Sequence, residues 1–347
     1  MHSPAATKPQ ARTMAEETEN IAGQPVQAVQ IAFSQDELSA CEKCGRDNAP
    51  NRTNCIYCGA ELVVRDELIS QVKVVANDLE PDALGWTIVA KAKDLARSAA
   101  EAELLSLGFS LGDAKGFPTS DALLPIARFS TENLAELARK RLNDIPTAIV
   151  SDESLGADKP GLRISKLELD GGVLTFNDFN RGVQESRPVE DLTAVVLGHL
   201  QVFTTTTFEK RGMRKRSTVT DESSDVRDSQ ILDIYFRGRL TPLTIRSTGF
   251  DFSTLGSERS LLAAENFERL IAMLRRAAPQ ARSVVEHADL QNILSGPWPA
   301  ASRTDGLGRV RTGIGQRRYG RSSTMDNTRQ FTKFSRLQAL DLDELKR

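Results

Sequence analysis

Apolar residues along the chain recur in several rhythms, and each rhythm predicts an element. Val72, Val74 and Val75 form a short β-branched run of the kind that favours a strand. Residues 86–107 are rich in Ala, Leu, Lys and Glu, which predicts one or two helices. Leu123–Phe129 has the length and apolar character of a buried strand. Ser130 then reads as the N-cap of a helix that carries Leu134, Leu137, Ala138 and Leu142 on one face. Thr147–Val150 returns as a strand. These elements predict a small α/β domain over residues 68–152 in the order β-α-α-β-α-β.

A different pattern begins at residue 160. Leu162, Ile164, Leu167 and Leu169 precede Asp170-Gly171-Gly172, and Val173, Leu174 and Phe176 follow. An Asp-Gly turn between two apolar runs predicts a β-hairpin. Further strands are predicted at 192–208, 231–238 and 243–252. A helix from Leu261 to Arg276 closes the block, with Phe267, Leu270, Ile271 and Leu274 at helical spacing and Pro279 just beyond its end. Residues 160–279 are therefore expected to form an antiparallel β barrel-like module plugged by a C-terminal helix.

The flanks look poor in core-forming residues. Residues 1–37 hold Pro, Ala, Gln, Thr and Glu without the apolar run of about 7–15 residues that export requires, and are expected to be a disordered tail. From Gly296 the chain turns Gly- and Arg-rich, with Arg303, Arg309, Arg311, Arg317, Arg318 and Arg321 among Gly306, Gly308, Gly313, Gly315 and Gly320. Residues 280–347 are expected to be mostly flexible. The apolar pattern over Phe334–Leu345 is the exception and predicts a short docking helix. No apolar stretch approaches the roughly 20 residues of a membrane span, which gives a cytoplasmic expectation with no transmembrane segment.

Charge adds a constraint. The 347 residues carry 45 Lys plus Arg against 47 Asp plus Glu, a formal charge of −2. That excludes a uniformly basic nucleic-acid-coating protein and leaves local basic patches open. One patch, Lys210, Arg211, Arg214, Lys215 and Arg216, is followed at once by Asp221, Glu222, Asp225 and Asp228, and reads as a self-compensating solvated loop.

The clearest chemistry lies in the cysteines. All four fall between positions 41 and 58, spaced Cys41-x2-Cys44-x10-Cys55-x2-Cys58, and Gly45 and Gly59 each follow the second Cys of a pair. Two such knuckles, turned by residues free to take positive φ, can face each other and offer four thiolates at about 2.3 Å to a structural Zn2+. The predicted metal ligands are Cys41, Cys44, Cys55 and Cys58, in a zinc ribbon over residues 38–63. With the thiols so used, His2, His199 and His287 are the remaining soft ligands or bases. His199 sits in an apolar strand pattern and reads as a core or edge residue. Nucleotide-binding, nucleophile-elbow and metalloprotease motifs are all absent, so no catalytic or further cofactor-binding residue is predicted. A carboxylate-based active site stays open as a third reading.

Three resemblances extend these readings. The paired Cys-x-x-Cys-Gly knuckles resemble bacterial zinc ribbons, and Cys41, Cys44, Asn48, Cys55 and Cys58 also fit the Ran-binding-protein-type zinc finger. Members of that family bind single-stranded RNA or ubiquitin, often with a Trp two residues before the first Cys. Ser39 stands at that place here, and Tyr57 is the available aromatic. The order of elements over 68–152 resembles the ribosomal stalk C-terminal domain and the Clp protease adaptor, which implies protein binding without catalysis. Residues 160–279 look like a pleckstrin-homology-like module. That family often holds inositol phosphates with basic residues around the first hairpin, where this chain has Asp170-Gly171-Gly172. Taken together, the sequence predicts a multidomain α+β protein that is a non-catalytic, zinc-binding interaction or regulatory protein with a protein partner. The alternative is an RNA-binding regulator that uses the finger together with the Arg/Gly-rich tail.

Overall fold

The computed structural model describes residues 19–21, 24–26, 33–72, 75–97, 100–107, 109–211, 217–306, 308–313 and 316–345. Contacts divide the chain into two units, Met1–Val72 and Lys73–Arg347.

In the first unit, β1 (Glu19–Ile21) and β2 (Gln24–Val26) form a short antiparallel pair inside the segment expected to be an unstructured tail. The strands β3 (Ser39–Ala40) and β4 (Asp47–Asn48) pair antiparallel around the first cysteine knuckle. A 3-10 helix spans Asp66–Gln71. The strand predicted over Val72, Val74 and Val75 falls in part on residues 73–74, which lie outside the described residues; Val72 is buried and Val75 half exposed.

Among its described residues the second unit is mixed α+β and holds two sheets. The smaller has β5 (Trp86–Lys91) between β6 (Leu123–Phe129) and β7 (Thr147–Ser151), antiparallel to both. The helical expectation for residues 86–107 fails at its start. Thr87, Ile88 and Val89 are β-branched, and strand pairing on both edges outweighs the helix-forming residues that follow. Helices α1 (Ala92–Leu95), α2 (Ala100–Ser106) and α3 (Leu111–Lys115) come next. Helix α4 (Glu132–Arg139) is capped by Thr131, one residue later than predicted, whose Oγ1 accepts the Leu134 N–H at 3.3 Å. A single turn, α5 (Asp152–Leu155), follows β7.

The larger sheet has ten strands: β8 (Leu162–Asp170), β9 (Val173–Asp178), β10 (Gln184–Pro188), β11 (Leu192–Arg211), β12 (Ser217–Phe236), β13 (Arg239–Arg246), β14 (Arg282–Val284), β15 (Ala301–Thr304), β16 (Gly308–Gly313) and β17 (Gln316–Asp326). Their order is β10-β9-β8-β13-β12-β11-β17-β15, with β14 on β11 and β16 on β17. The Asp170-Gly171-Gly172 hairpin forms as predicted between β8 and β9. The sheet is open and does not close into the expected barrel. The free edge of β11 is taken by β14 and β17, which leaves β10 as an outer edge.

Helix α6 (Ala263–Ala277) buries Phe267, Leu270, Ile271 and Leu274 against Leu232, Ile234, Leu243 and Ile245 on one face of this sheet. Ala194, Val196, Ile231 and Tyr235 point to the other face and join a second core with β5, β6 and β7. One sheet thus serves two cores, so residues 73–347 form one unit, without the expected division between 68–152 and 160–279.

The segment expected to be flexible beyond residue 280 is folded. Besides β14–β17 it supplies α7 (Gln291–Ser295), α8 (Thr328–Gln338) and α9 (Leu342–Leu345). Helix α8 lies in the second core with Phe331, Phe334 and Leu337 buried. Each of its buried polar side chains makes at least one bond, although Gln330 Oε1 and Arg336 Nε have none. Ser335 donates to Asp233 at 2.7 Å and meets Tyr235 Oη at 2.8 Å, Gln338 bridges the backbone of Leu123, and Lys333 reaches Asp152 at 3.0 Å. Arg336 donates to the carbonyls of Leu155, Gly156 and Lys159. The apolar pattern over Phe334–Leu345 announced only the later part of this helix, and composition hid its start because a polar residue in a core is stable when its hydrogen bonds are made. Among the described residues no helix is long and apolar enough to cross a membrane.

Candidate metal centre

The two cysteine pairs fold into near-equivalent knuckles. In the first, the Gly45 N–H donates to the Cys41 carbonyl at 2.7 Å and the Cys41 N–H to the Arg46 carbonyl at 3.0 Å. In the second, the Gly59 N–H donates to Cys55 at 2.9 Å and the Cys55 N–H to Ala60 at 2.8 Å. Gly45 and Gly59 have φ of 67° and 72°, the left-handed region that a side chain would strain. The predicted turn role of both glycines is met.

These turns aim all four sulfurs at one point. The ligand atoms of Cys41, Cys44, Cys55 and Cys58 lie within 4.8 Å of one another. Cys41 Sγ and Cys58 Sγ are 3.6 Å apart, and Cys44 Sγ and Cys55 Sγ 3.7 Å. A tetrahedral ion about 2.3 Å from each sulfur would space them about 3.8 Å apart, so the donor set fits a metal ion. The closeness also makes the free thiols awkward neighbours. At Cys44 the Arg46 N–H favours the thiolate, but burial and the sulfurs of Cys58, Cys55 and Cys41 outweigh it and push the thiol up to about 12. At Cys55 burial favours the neutral thiol, yet the N–H groups of Tyr57 and Cys58 and the Asn48 amide bring it down to about 6. A bound cation removes this conflict, because it lets all four sulfurs ionise together.

Asn48 ties the knuckles to each other. It is buried, its Nδ2 donates to Cys55 Sγ at 3.4 Å and to the Arg46 carbonyl at 2.9 Å, and its Oδ1 accepts the Ile56 N–H at 3.0 Å. The side chain therefore orients a ligand sulfur from outside the ligand set. Leu62 packs with Cys41 and Cys55, and forms the small apolar floor of the site. On the outside, Arg46 lies over the Tyr57 ring at 4.8 Å, and Ile56, Tyr57 and Val63 are exposed. The spacing of the cysteines pointed to the ligands, and Asn48 was visible as a matched position. The exposed Ile56–Tyr57 edge carried no sequence signal beyond the aromatic itself.

Of the remaining candidates His2 lies outside the described residues, and His199 and His287, in the second unit, do not assemble around a ligand. His287 is fully buried against Phe331 and Phe334, and its Nδ1 accepts the His199 N–H at 3.1 Å. Burial, helped by His199, lowers its pKa to about 4. The His199 side chain turns away toward Asp228. Among the described residues the Cys41, Cys44, Cys55 and Cys58 group is the cluster suited to a metal. A cleft of about 920 Å³ is lined by Lys91, Arg237, Arg239 and Arg282 with Asp121 and Asp341, and Asp121 is engaged by Lys93 at 2.6 Å. No protein-family model, curated protein or solved structure matches the chain.

Proposed function

We propose that this protein is a non-catalytic interaction protein whose N-terminal ribbon is held by a structural Zn2+ and presents Ile56 and Tyr57 to a protein partner. Zinc suits four thiolates in a tetrahedron, and such a set leaves no coordination position for water or substrate. The observation that carries the reading is the pairing of this closed site with an exposed apolar edge on the second knuckle. Ile56 and Tyr57 are 55% and 53% exposed, although each is flanked by hydrogen-bonded or ligating residues that fix its direction. A metal-stapled turn that presents an aromatic and a branched aliphatic side chain is suited to a protein pocket, where Tyr is enriched.

The test compares three forms of the full chain in a native lysate: wild type, Ile56→Asp with Tyr57→Asp, and Cys44→Ser. A partner retained by wild type and lost by both variants, while the double variant keeps its zinc, is the expected result. A partner set unchanged by Ile56→Asp with Tyr57→Asp overturns the proposal.

A further inference from the structure

Of the basic run read from the sequence as a solvated loop, Lys210 and Arg211 fall in β11, and residues 212–216 lie outside the described residues. A group of described cations lies at the other end of β11. There the second unit opens into the cleft of about 920 Å³, within the roughly 300–1,000 Å³ of small-molecule sites. Its walls come from the end of β5, the start of β11, the β12–β13 turn, β14 and the chain after α8. Phe236 reaches it from one core of the unit, and Ala339 and Leu340 from the other.

Two strand irregularities shape this cleft. Leu192 pairs with Phe236 and Ala194 with Tyr235, so Thr193 is an extra residue on β11. On β13, Leu240, Thr241 and Pro242 stand between Arg239, which pairs with Phe236, and Leu243, which pairs with Ile234. Bulges re-aim side chains and are over-represented next to active sites, and Thr193 and Leu240 both line the cleft. Its cations are Lys91, Arg237, Arg239 and Arg282, against Asp121 and Asp341 as the acids. Arg282 is fixed, with Nη1 donating to the carbonyls of Gln338 at 3.0 Å and Leu340 at 3.4 Å. Asp121 is taken by Lys93 at 2.6 Å, which holds its carboxyl below the usual range, and the charges of Lys91 and Arg282 lower it further. The side chains of Lys91, Arg237 and Arg239 have no hydrogen-bond or ion-pair partner among the described residues. Lys91, Arg239 and Arg282 are half-buried. A half-buried cation loses hydration, and an anion in the cleft would restore an opposite charge. A smaller hollow beside the same turn holds Glu185 and Asp191, but Arg187 engages Glu185 at 3.8 Å. Asp191 meets the turn through its carbonyl, which accepts the Arg237 N–H at 2.7 Å.

We propose that this cleft binds a small phosphate monoester, with the phosphoryl group on Arg237, Arg239 and Lys91 and the organic body against Leu240. Four cations less two acids leave two positive charges, which match the roughly −1.5 to −2 of a phosphate monoester at neutral pH. The planar guanidinium fork suits phosphoryl oxygens better than a point charge does. Gly238, at φ 71°, turns β12 into β13 and holds Arg237 and Arg239 on either side of one tight turn. Leu240 is 54% exposed on the cleft wall and offers the apolar contact. The lining lies wholly within Lys73–Arg347, so the site does not depend on the cysteine ribbon or on the function proposed for it.

The experiment is isothermal titration calorimetry of the full chain with phenyl phosphate, and with inorganic phosphate and phenol as its two parts. Phenyl phosphate should bind saturably, and more tightly than either part. Arg237→Gln with Arg239→Gln should weaken it by about tenfold or more, and Lys91→Gln should weaken it as well. Leu240→Asn should erase the preference for phenyl phosphate over inorganic phosphate. Arg227→Gln with Arg303→Gln, an equal charge loss on β12 and β15 outside the cleft lining, should bind like wild type, as should Cys44→Ser. Thermal melts check that the second unit stays folded, and Lys91→Gln carries the test if the arginine pair does not fold. The proposal is overturned if wild type shows no saturable binding up to about 10 mM phenyl phosphate, or if the folded cleft variants bind like wild type. Equal losses in the Arg237/Arg239 and Arg227/Arg303 variants would also overturn it, since net charge alone would then explain the binding. So would binding to phosphatidic acid vesicles without binding of phenyl phosphate.

Discussion

Replacing Phe334 by Ala tests whether the C-terminal helix belongs to the core. The side chain is fully buried, between the His287 ring at 5.3 Å and the apolar face of the larger sheet. Burying a Phe is worth about 1.5–3 kcal/mol in transfer free energy. Truncation also leaves a cavity, which raises the usual cost to about 3–5 kcal/mol. For a unit of this size each kcal/mol shifts the melting point by about 2–4 °C, so Tm should fall by about 6–20 °C. Two probes suit the assay: far-ultraviolet circular dichroism, and the fluorescence of Trp298, which is buried in the same core. Phe267→Ala, in the core on the other side of the sheet, should lower the same transition, because both cores share β11 and β12. A Phe334→Ala chain that melts within about 2 °C of wild type would refute the reasoning, since it would mean a loss below about 1 kcal/mol. The segment would then behave as the loosely attached tail that its composition suggests.

Other outcomes follow from the same packing. Arg128→Leu should cost about 3–5 kcal/mol in a urea titration, because it leaves Asp152, fully buried and bonded to Arg128 at 2.9 and 2.5 Å, with Lys333 as its remaining counter-ion. Gly198→Ala should destabilise by about 1–3 kcal/mol, since its Cβ would meet the Phe331 ring and Ile231; a melt unchanged from wild type would contradict that contact. His287 is held neutral, with a folded pKa of about 4 against an ordinary 6.5. Its contribution is therefore present above about pH 6.5 and is lost as pH falls toward 4, by up to about 3 kcal/mol. His287→Gln should be less acid-sensitive than wild type over that window, and equal pH slopes for the two proteins would count against this. Cys44→Ser should release the metal and expose the amides of residues 38–62 to hydrogen exchange, because folding and metal binding are coupled at about 10–16 kcal/mol in small zinc modules.

The parts of the molecule legible in the sequence are those fixed by near neighbours. The cysteine spacing and its two glycines specify both knuckles, and the Phe267–Leu274 stripe specifies the buried face of α6. The Asp170-Gly171-Gly172 turn likewise sets one hairpin. What escaped was decided at long range. The strand at Trp86–Lys91 is stabilised by partners 32 or more residues away in β6 and 57 or more in β7. The acidic residues after Asp221 join a strand because β11 runs far enough to pair with them, and the arginines of β17 because Phe208 and Gly320 come together. No local pattern of apolar residues marks such strands, since their side chains lie largely on solvated faces. Helix α8 was half visible through Phe334 and Leu337. Its polar residues concealed it, because their partners, Asp233 in β12 and Asp152 and the Leu155 carbonyl in α5, lie far away in sequence.

The account rests most directly on the ion proposed to lie between the two knuckles. Elemental analysis of the reduced, dialysed full chain should find one zinc per chain, and none in the Cys44→Ser variant. Tightly held zinc in both proteins, or in neither, would contradict the assignment of Cys41, Cys44, Cys55 and Cys58 as its ligands.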